Sequence, residues 1–251
     1  MTAATAHAQA QAHAHAVTQA AAPRLDLYAP IHKALRHCMT DTLLRIGRLD
    51  LGNAAAMAAG LAQLEALLRL CEQHLAHENQ FVHPAIDARQ PGGARRIAGE
   101  HVEHLAHIAA LRGDVALLQQ AGADRRPALA LRLYHHLALF VADNFQHMHL
   151  EETVHNAALW AHYQDEELAA LHGRLLASLA PQEVLLTLRW MVPALSPAER
   201  IGLLNGMKAE APPEAFLGVV AHVRPYLDDA AWAQLAPAIG LAQQPGLVDF
   251  R

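Results

Sequence analysis

The sequence predicts an all-α protein, an up-down-up-down four-helix bundle followed by a small helical C-terminal module. Three observations carry that reading. Apolar residues make up 53% of the chain but aromatics only 5%, and alanine and leucine dominate. Those two lose little on entering a helix, whereas strands favour branched and aromatic residues. Apolar positions also recur at helical spacing over four long runs joined by short breaks, which makes the runs antiparallel neighbours. After Asp165 the runs shorten and prolines punctuate them, as in small helical units.

Residues 1–23 form an Ala/Gln/His tract, with His7, His13 and His15 among alanines and no Lys or Arg before Arg24. The tract is too polar for the apolar core of a signal peptide and reads as a disordered tail. The bundle is expected over residues 24–179. Its first helix runs from about Pro30 to Arg48, with Leu35, Met39, Leu43 and Ile46 on the apolar stripe, until Leu51-Gly52-Asn53 breaks it. Asn53 is suited to cap the second helix, which runs to Arg89 and stops at Pro91-Gly92-Gly93. The third covers about Ala94 to Ala121. The fourth spans about Pro127 to Tyr163, and a short helix from Asp165 to Leu179 closes the region. Residues 181–251 carry one histidine, His222, and no carboxylate–histidine cluster. They read as a separate helical module that packs on the bundle or on a protein partner.

The formal charge of -5 offers no basic surface for phosphate backbones, so nucleic acid is not an expected partner. No twenty-residue apolar span lacks charge, so no membrane crossing is expected. Cys38 and Cys71 fit no zinc or redox spacing, which favours a reducing, cytoplasmic setting. Histidine is the abnormal residue. Its 19 copies equal the whole Lys plus Arg count, and imidazole is the commonest protein ligand for borderline metals.

The sharpest feature is a repeated element: His74-Leu-Ala-His-Glu78 on the second helix and His147-Met-His-Leu-Glu151 on the fourth. Residues four apart are offset by only about 40° around a helix, so each element aims one imidazole and one carboxylate at the same point. Two such helices face to face approach the bundle recipe for di-iron and di-manganese sites. The other two helices then need one ligand each. His32 shares the first helix's stripe with Leu35, Met39 and Leu43. His101 shares a stripe with Ile97, Leu105 and Ile108, while His104 is displaced by about 60° and is the reserve. Six such residues on inward faces would be costly to bury without a metal. The donor set of His32, His74, Glu78, His101, His147 and Glu151 mixes nitrogen and oxygen. That favours iron, with manganese as the other fit, over tetrahedral structural zinc. Among the other histidines, His77 sits where it could orient a ligand, and His135, His149 and His162 face away. His136 lies about 16 Å along the axis from His147, too far to join it.

This order of His, His-x-x-x-Glu, His, His-x-x-x-Glu resembles the hemerythrin-like (HHE cation-binding) domain, bacterial type, over about residues 27–178. Glu78-Asn79-Gln80-Phe81-Val82-His83-Pro84, Glu151-Glu152 and Leu168-Ala-Ala-Leu-His172 add to the likeness. The resemblance implies two iron ions, oxo- or hydroxo-bridged, held by the six residues, with Glu78 and Glu151 bridging. The oxygen-carrying hemerythrins differ in two ways. They have a histidine where this chain has Leu105, and an aspartate one residue further along the fourth helix in place of the glutamate. The pattern is more similar to bacterial hemerythrin-like proteins and to the iron-sensing domain of a ubiquitin-ligase subunit. The missing imidazole leaves a coordination position for His104, Tyr28 or water.

The expected function is binding of O₂ or NO at the centre, in sensing or handling of oxygen or of oxidative and nitrosative stress. An apolar lining of Leu35, Met39, Leu70, Phe81, Ile108 and Phe140 suits a small apolar gas. The alternatives are a di-iron oxidoreductase (peroxidase, catalase-like or ferroxidase) acting on peroxide or iron, and an iron store that also uses the tail. A related nitric-oxide-response repair protein carries an N-terminal cysteine pair that this chain lacks.

Overall fold

In the computed structural model, residues 24–241 are described; the expected tail over 1–23 and the last ten residues of the module lie outside them. Local signals set the helix ends. Asn53 caps the second long helix as anticipated, its Oδ1 accepting from the Ala56 N–H at 3.0 Å. Asp50 Oδ1 accepts from the Gly52 N–H at 3.0 Å and closes the turn before it. The Pro91-Gly92-Gly93 stop needs glycine, because Gly92 has φ +78°. Prolines occupy the first turns of several helices, where their missing N–H has no partner to lose.

The helices are α1 (Ala29–Gly47), α2 (Ala54–His77), α3 (His83–Arg89), α4 (Arg95–Gln120), α5 (Arg126–Leu150), α6 (Asn156–His162), α7 (Asp165–Ser178), α8 (Pro181–Ala194), α9 (Pro197–Glu210), α10 (Pro213–Val223) and α11 (Asp229–Ala238). Two π-helical segments, Glu78–Val82 and Glu151–His155, join α2 to α3 and α5 to α6, so each pair forms one long rod. No strand occurs among the described residues, and the chain is all-α.

Helix α1 packs on α2 and α5, and α4 packs on the same two. Their shared core includes Leu35, Met39, Leu64, Leu67, Leu68, Ile108, Leu111, Leu137 and Phe140. A smaller cluster holds Tyr28, Val82, Ile86, Leu159 and Leu168. Along both rods the His-x-x-x-Glu residues fall at the boundary between the two clusters. The rod Ala54–Arg89 is long and apolar enough to cross a membrane by length and composition, but 44% of its apolar window is buried inside the protein. Its leucines are core residues of a helix assembly.

The C-terminal helices have their own core of Leu188, Val192, Leu204, Phe216, Val220 and Leu235. Helix α8 is shared. It runs against α1, and its Trp190 belongs to the main core. The α8 carbonyls near Pro193 are met by the buried Arg200, whose Nε donates to Val192 O at 2.8 Å and whose Nη2 donates to Leu195 O at 3.0 Å.

Leu111 and Arg112 are adjacent on α4 but differ in what they hold. Leu111 is fully buried, whereas Arg112 bonds Glu65 and Glu72 on a half-exposed face. Leu111→Ala is expected to cost about 2–5 kcal/mol in denaturant unfolding. Arg112→Ala should cost roughly 1 kcal/mol or less. Equal losses would mean that this part of the core is not packed as described.

Candidate metal centre

The centre forms where both rods change helix type. His74 and His147 occupy the last turns of α2 and α5, and Glu78 and Glu151 open the π segments. There the backbone bond lengthens to five residues: the His83 N–H donates to Glu78 O, and the Asn156 N–H to Glu151 O. Such π widenings occur often at functional sites.

The six residues expected from the sequence meet at one buried point. His74 Nε2 lies 3.2 Å from Glu78 Oε1, and His147 Nε2 lies 3.2 Å from Glu151 Oε1. His32, from α1, places Nε2 3.3 Å from Glu151 Oε2 and 3.9 Å from Glu78 Oε1. His101, from α4, places Nε2 3.4 Å from Glu78 Oε2 and 3.6 Å from Glu151 Oε1. Each carboxylate thus turns one oxygen to the His32/His74 side and the other to the His101/His147 side. Two groups able to hold a metal result, His32/His74/Glu78/Glu151 and Glu78/His101/His147/Glu151, each with ligand atoms within 4.8 Å of one another.

Three of the four imidazoles are oriented from behind. His32 Nδ1 donates to Glu152 Oε1 at 3.0 Å, His101 Nδ1 to Asn79 Oδ1 at 2.9 Å, and His147 Nδ1 to Glu100 Oε2 at 2.9 Å. With the proton on Nδ1, Nε2 is left to face the centre. Oxygen acceptors behind ligating histidines play this part in metal sites generally. Glu152 is itself clamped by both Arg36 nitrogens. Burial opposes its ionisation, but His32 and Arg36 hold its carboxyl down at about 2.

The donor set fits a metal. His32 Nε2, His74 Nε2 and all four oxygens of Glu78 and Glu151 are buried without a hydrogen-bond partner, a condition rare in native proteins. Glu151 is 0% and Glu78 3% exposed, and two carboxylates so placed need positive charge nearby. In the metal-free chain protons supply it. Burial and the Glu151 charge raise the Glu78 carboxyl to about 8. Burial works against a charged His32, but Glu151, Glu152 and Glu78 overcome it and raise the imidazole to about 10. His147 is raised in the same way by Glu151 and Glu100, against burial.

The remaining sequence expectations divide. His104 is buried, but it stands edge-on to His147 with ring centroids 4.6 Å apart and joins neither group. The buried face of α4 is Ile97, His101, His104, Ile108 and Leu111, while Leu105 is 42% exposed. The expected stripe through Leu105 was therefore misphased after His101, because helical neighbours alternate three and four apart. The Tyr28 hydroxyl bonds His155 Nδ1 at 3.1 Å, and its ring lies 5.3 Å from that of His32. His77 does not orient a ligand; its Nε2 lies 3.4 Å from Glu183 Oε1 on α8. His135, His149 and His162 are exposed, and His136 pairs with Asp114, as their positions implied.

Sequence reasoning missed His83 and His155, both buried beside the centre. His155 was detectable, being four residues after Glu151. His83 was not, because five residues on a regular helix turn through about 140° away from Glu78. The apolar lining also differs from expectation. A cavity of about 240 Å³ reaches His74 and Glu78 and is walled by Ile31, Leu70, Leu171, Leu175 and Met191. Of the expected lining only Leu70 is there, because α7 and α8 close over this side.

Comparison with protein-family models, with curated proteins and with solved structures finds no match to this chain.

Two outcomes are expected. Metal binding must displace the protons on His32 and Glu78, so affinity should fall as pH falls from 8 to 6 and level off above about 10; chelator competition at several pH values measures this. A pH-independent affinity would contradict the charge assignment. Glu152→Gln and Glu100→Gln should each weaken metal binding by about 10–100-fold while leaving the circular dichroism intact.

Proposed function

We propose that this chain is a non-haem di-iron protein that binds O₂ or NO, within a hemerythrin-like bundle of four antiparallel helices. The observation that carries this reading is the splayed pair of carboxylates: Glu78 and Glu151 each direct one oxygen to each histidine pair. Two equal N₂O₂ donor sets joined by two carboxylates suit a pair of iron ions, with manganese as the substitute, better than a structural zinc, which favours tetrahedral Cys/His ligation. When bound, ferrous iron in such a pair supplies ligand-accepting, one-electron chemistry at positions the protein leaves open.

The chain's own residues do the rest. His32 and His74 would hold one ion and His101 and His147 the other, with Glu78 and Glu151 bridging. Glu152, Asn79 and Glu100 keep the rings turned inward. Leu35, Met39, Ile108 and Phe140 keep water from one side, and the cavity beside His74 admits a small apolar molecule from the other. Contacts of α8 with that side, through His77–Glu183 and the His37 Nδ1–Trp190 O bond at 3.2 Å, give residues 181–251 a route to pass ligand state to a protein partner.

A second reading is a di-iron oxidoreductase of peroxidase, catalase-like or ferroxidase type. It is favoured by the donor count, since four protein donors per ion leave room for reaction as well as binding. Anaerobically loaded ferrous protein exposed to O₂ separates the two. A charge-transfer band that appears and vanishes with repeated gassing and evacuation supports binding; one irreversible change supports the enzyme. His74→Ala and Glu151→Ala should each lose iron from the pair, and full retention of two irons in both would falsify the ligand set.

A further inference from the structure

We propose that His83, His155 and Glu151 form a third metal position beside the iron pair, with two imidazoles and one carboxylate as its ligands. This rests on the same buried donors as the pair and shares Glu151 with it. One ligand atom from each of the three residues lies within 4.8 Å of the other two. His83 is 5% and His155 1% exposed, so neither ring is hydrated as a surface histidine would be. Both nitrogens of His83 and Nε2 of His155 have no hydrogen-bond partner. A core histidine kept for packing meets a carbonyl or carboxylate; these two meet each other edge to face, with ring centroids 5.4 Å apart.

The surroundings orient the rings. His83 stacks on His101 at 4.8 Å between centroids. His155 Nδ1 sits 3.1 Å from the Tyr28 hydroxyl, and with Nδ1–H donating to that oxygen, Nε2 keeps its lone pair for a cation. Glu151 has capacity to share, because an ionised carboxylate offers about four lone-pair sites and the pair engages one on each oxygen. The two rods contribute alike: each π segment opens with a carboxylate, and each rod then turns a histidine inward within five residues. Two histidines and one carboxylate with open positions form the donor set of non-haem ferrous sites, so the occupant is a borderline divalent cation, ferrous iron first. The remaining positions fall to water.

The test uses the full chain, stripped of metal, loaded anaerobically with Fe(II), desalted and assayed for iron per protein. His83→Leu and His155→Leu should each hold one iron fewer than the unaltered chain, and the absorption of the pair after air exposure should be unchanged. Comparison by difference removes any iron held by the N-terminal histidines. Unaltered iron content in both variants overturns the third position and leaves the pair standing. Loss of more than one iron together with the pair's absorption also overturns it, by making the two histidines ligands of the pair. A chain that takes up no iron removes the pair as well. Where the leucine variants misfold, anomalous scattering from iron-soaked crystals decides: a peak between the His83 and His155 rings supports the proposal, and its absence beside two occupied pair positions rejects it.

Discussion

Two carboxylates, Glu78 and Glu151, sit in a dry helical core with their oxygens unbonded, and the rest of the structure is arranged around that electrostatic demand. Negative charge in such a place is tolerated only with positive charge against it. Four imidazoles provide the means in two ways. His32 and His147 are held toward their protonated forms when the centre is empty of cations, and imidazoles offer lone pairs when a cation is present. Burial and the Glu151 charge raise the Glu78 carboxyl, while Glu151, Glu152 and Glu78 together raise the His32 imidazole against its burial.

That demand explains features of the helices that packing alone would not select. A regular helix is the better-bonded state, yet both rods widen at their carboxylates. The widening turns His83 toward the centre. Behind the rings, Glu152, Glu100 and Asn79 stand where a helix surface would ordinarily leave side chains free in water, and each is tied to a ring nitrogen. The helices on which the donors stand are held by an ordinary leucine core, so that their orientation is inherited from packing far from the centre. The C-terminal helices share in this environment, because α8 walls the cavity and contributes Trp190 to the main core.

How far the site could be read in the residues depended on helix regularity. His74/Glu78 and His147/Glu151 were legible because a spacing of four superposes side chains on an α-helix. His32 was legible as the one histidine on a clear apolar stripe. His104 was judged displaced from its stripe, yet it is buried and Leu105 is not, since a single helix pattern leaves the phase of a broad face uncertain by one position. Two of the behind-the-ring acceptors, Glu100 and Asn79, were illegible, because they look like surface residues until a second helix is laid beside them.

By itself the sequence determined the all-helical class, the outer limits of the helical runs between residues 29 and 178 to within a residue or two, and the six donors that meet at the centre. Those follow from interactions between near neighbours in the chain: propensity, capping, proline and the spacing of four. Only the tertiary structure decided that His83 and His155 are buried beside the centre, that α7 and α8 close its apolar cavity, and that His77 faces Glu183 and not the centre. His155 apart, whose spacing of four from Glu151 is α-helical, each of these depends on a contact between residues far apart in the chain or on a local widening of the helix that no α-helical periodicity encodes.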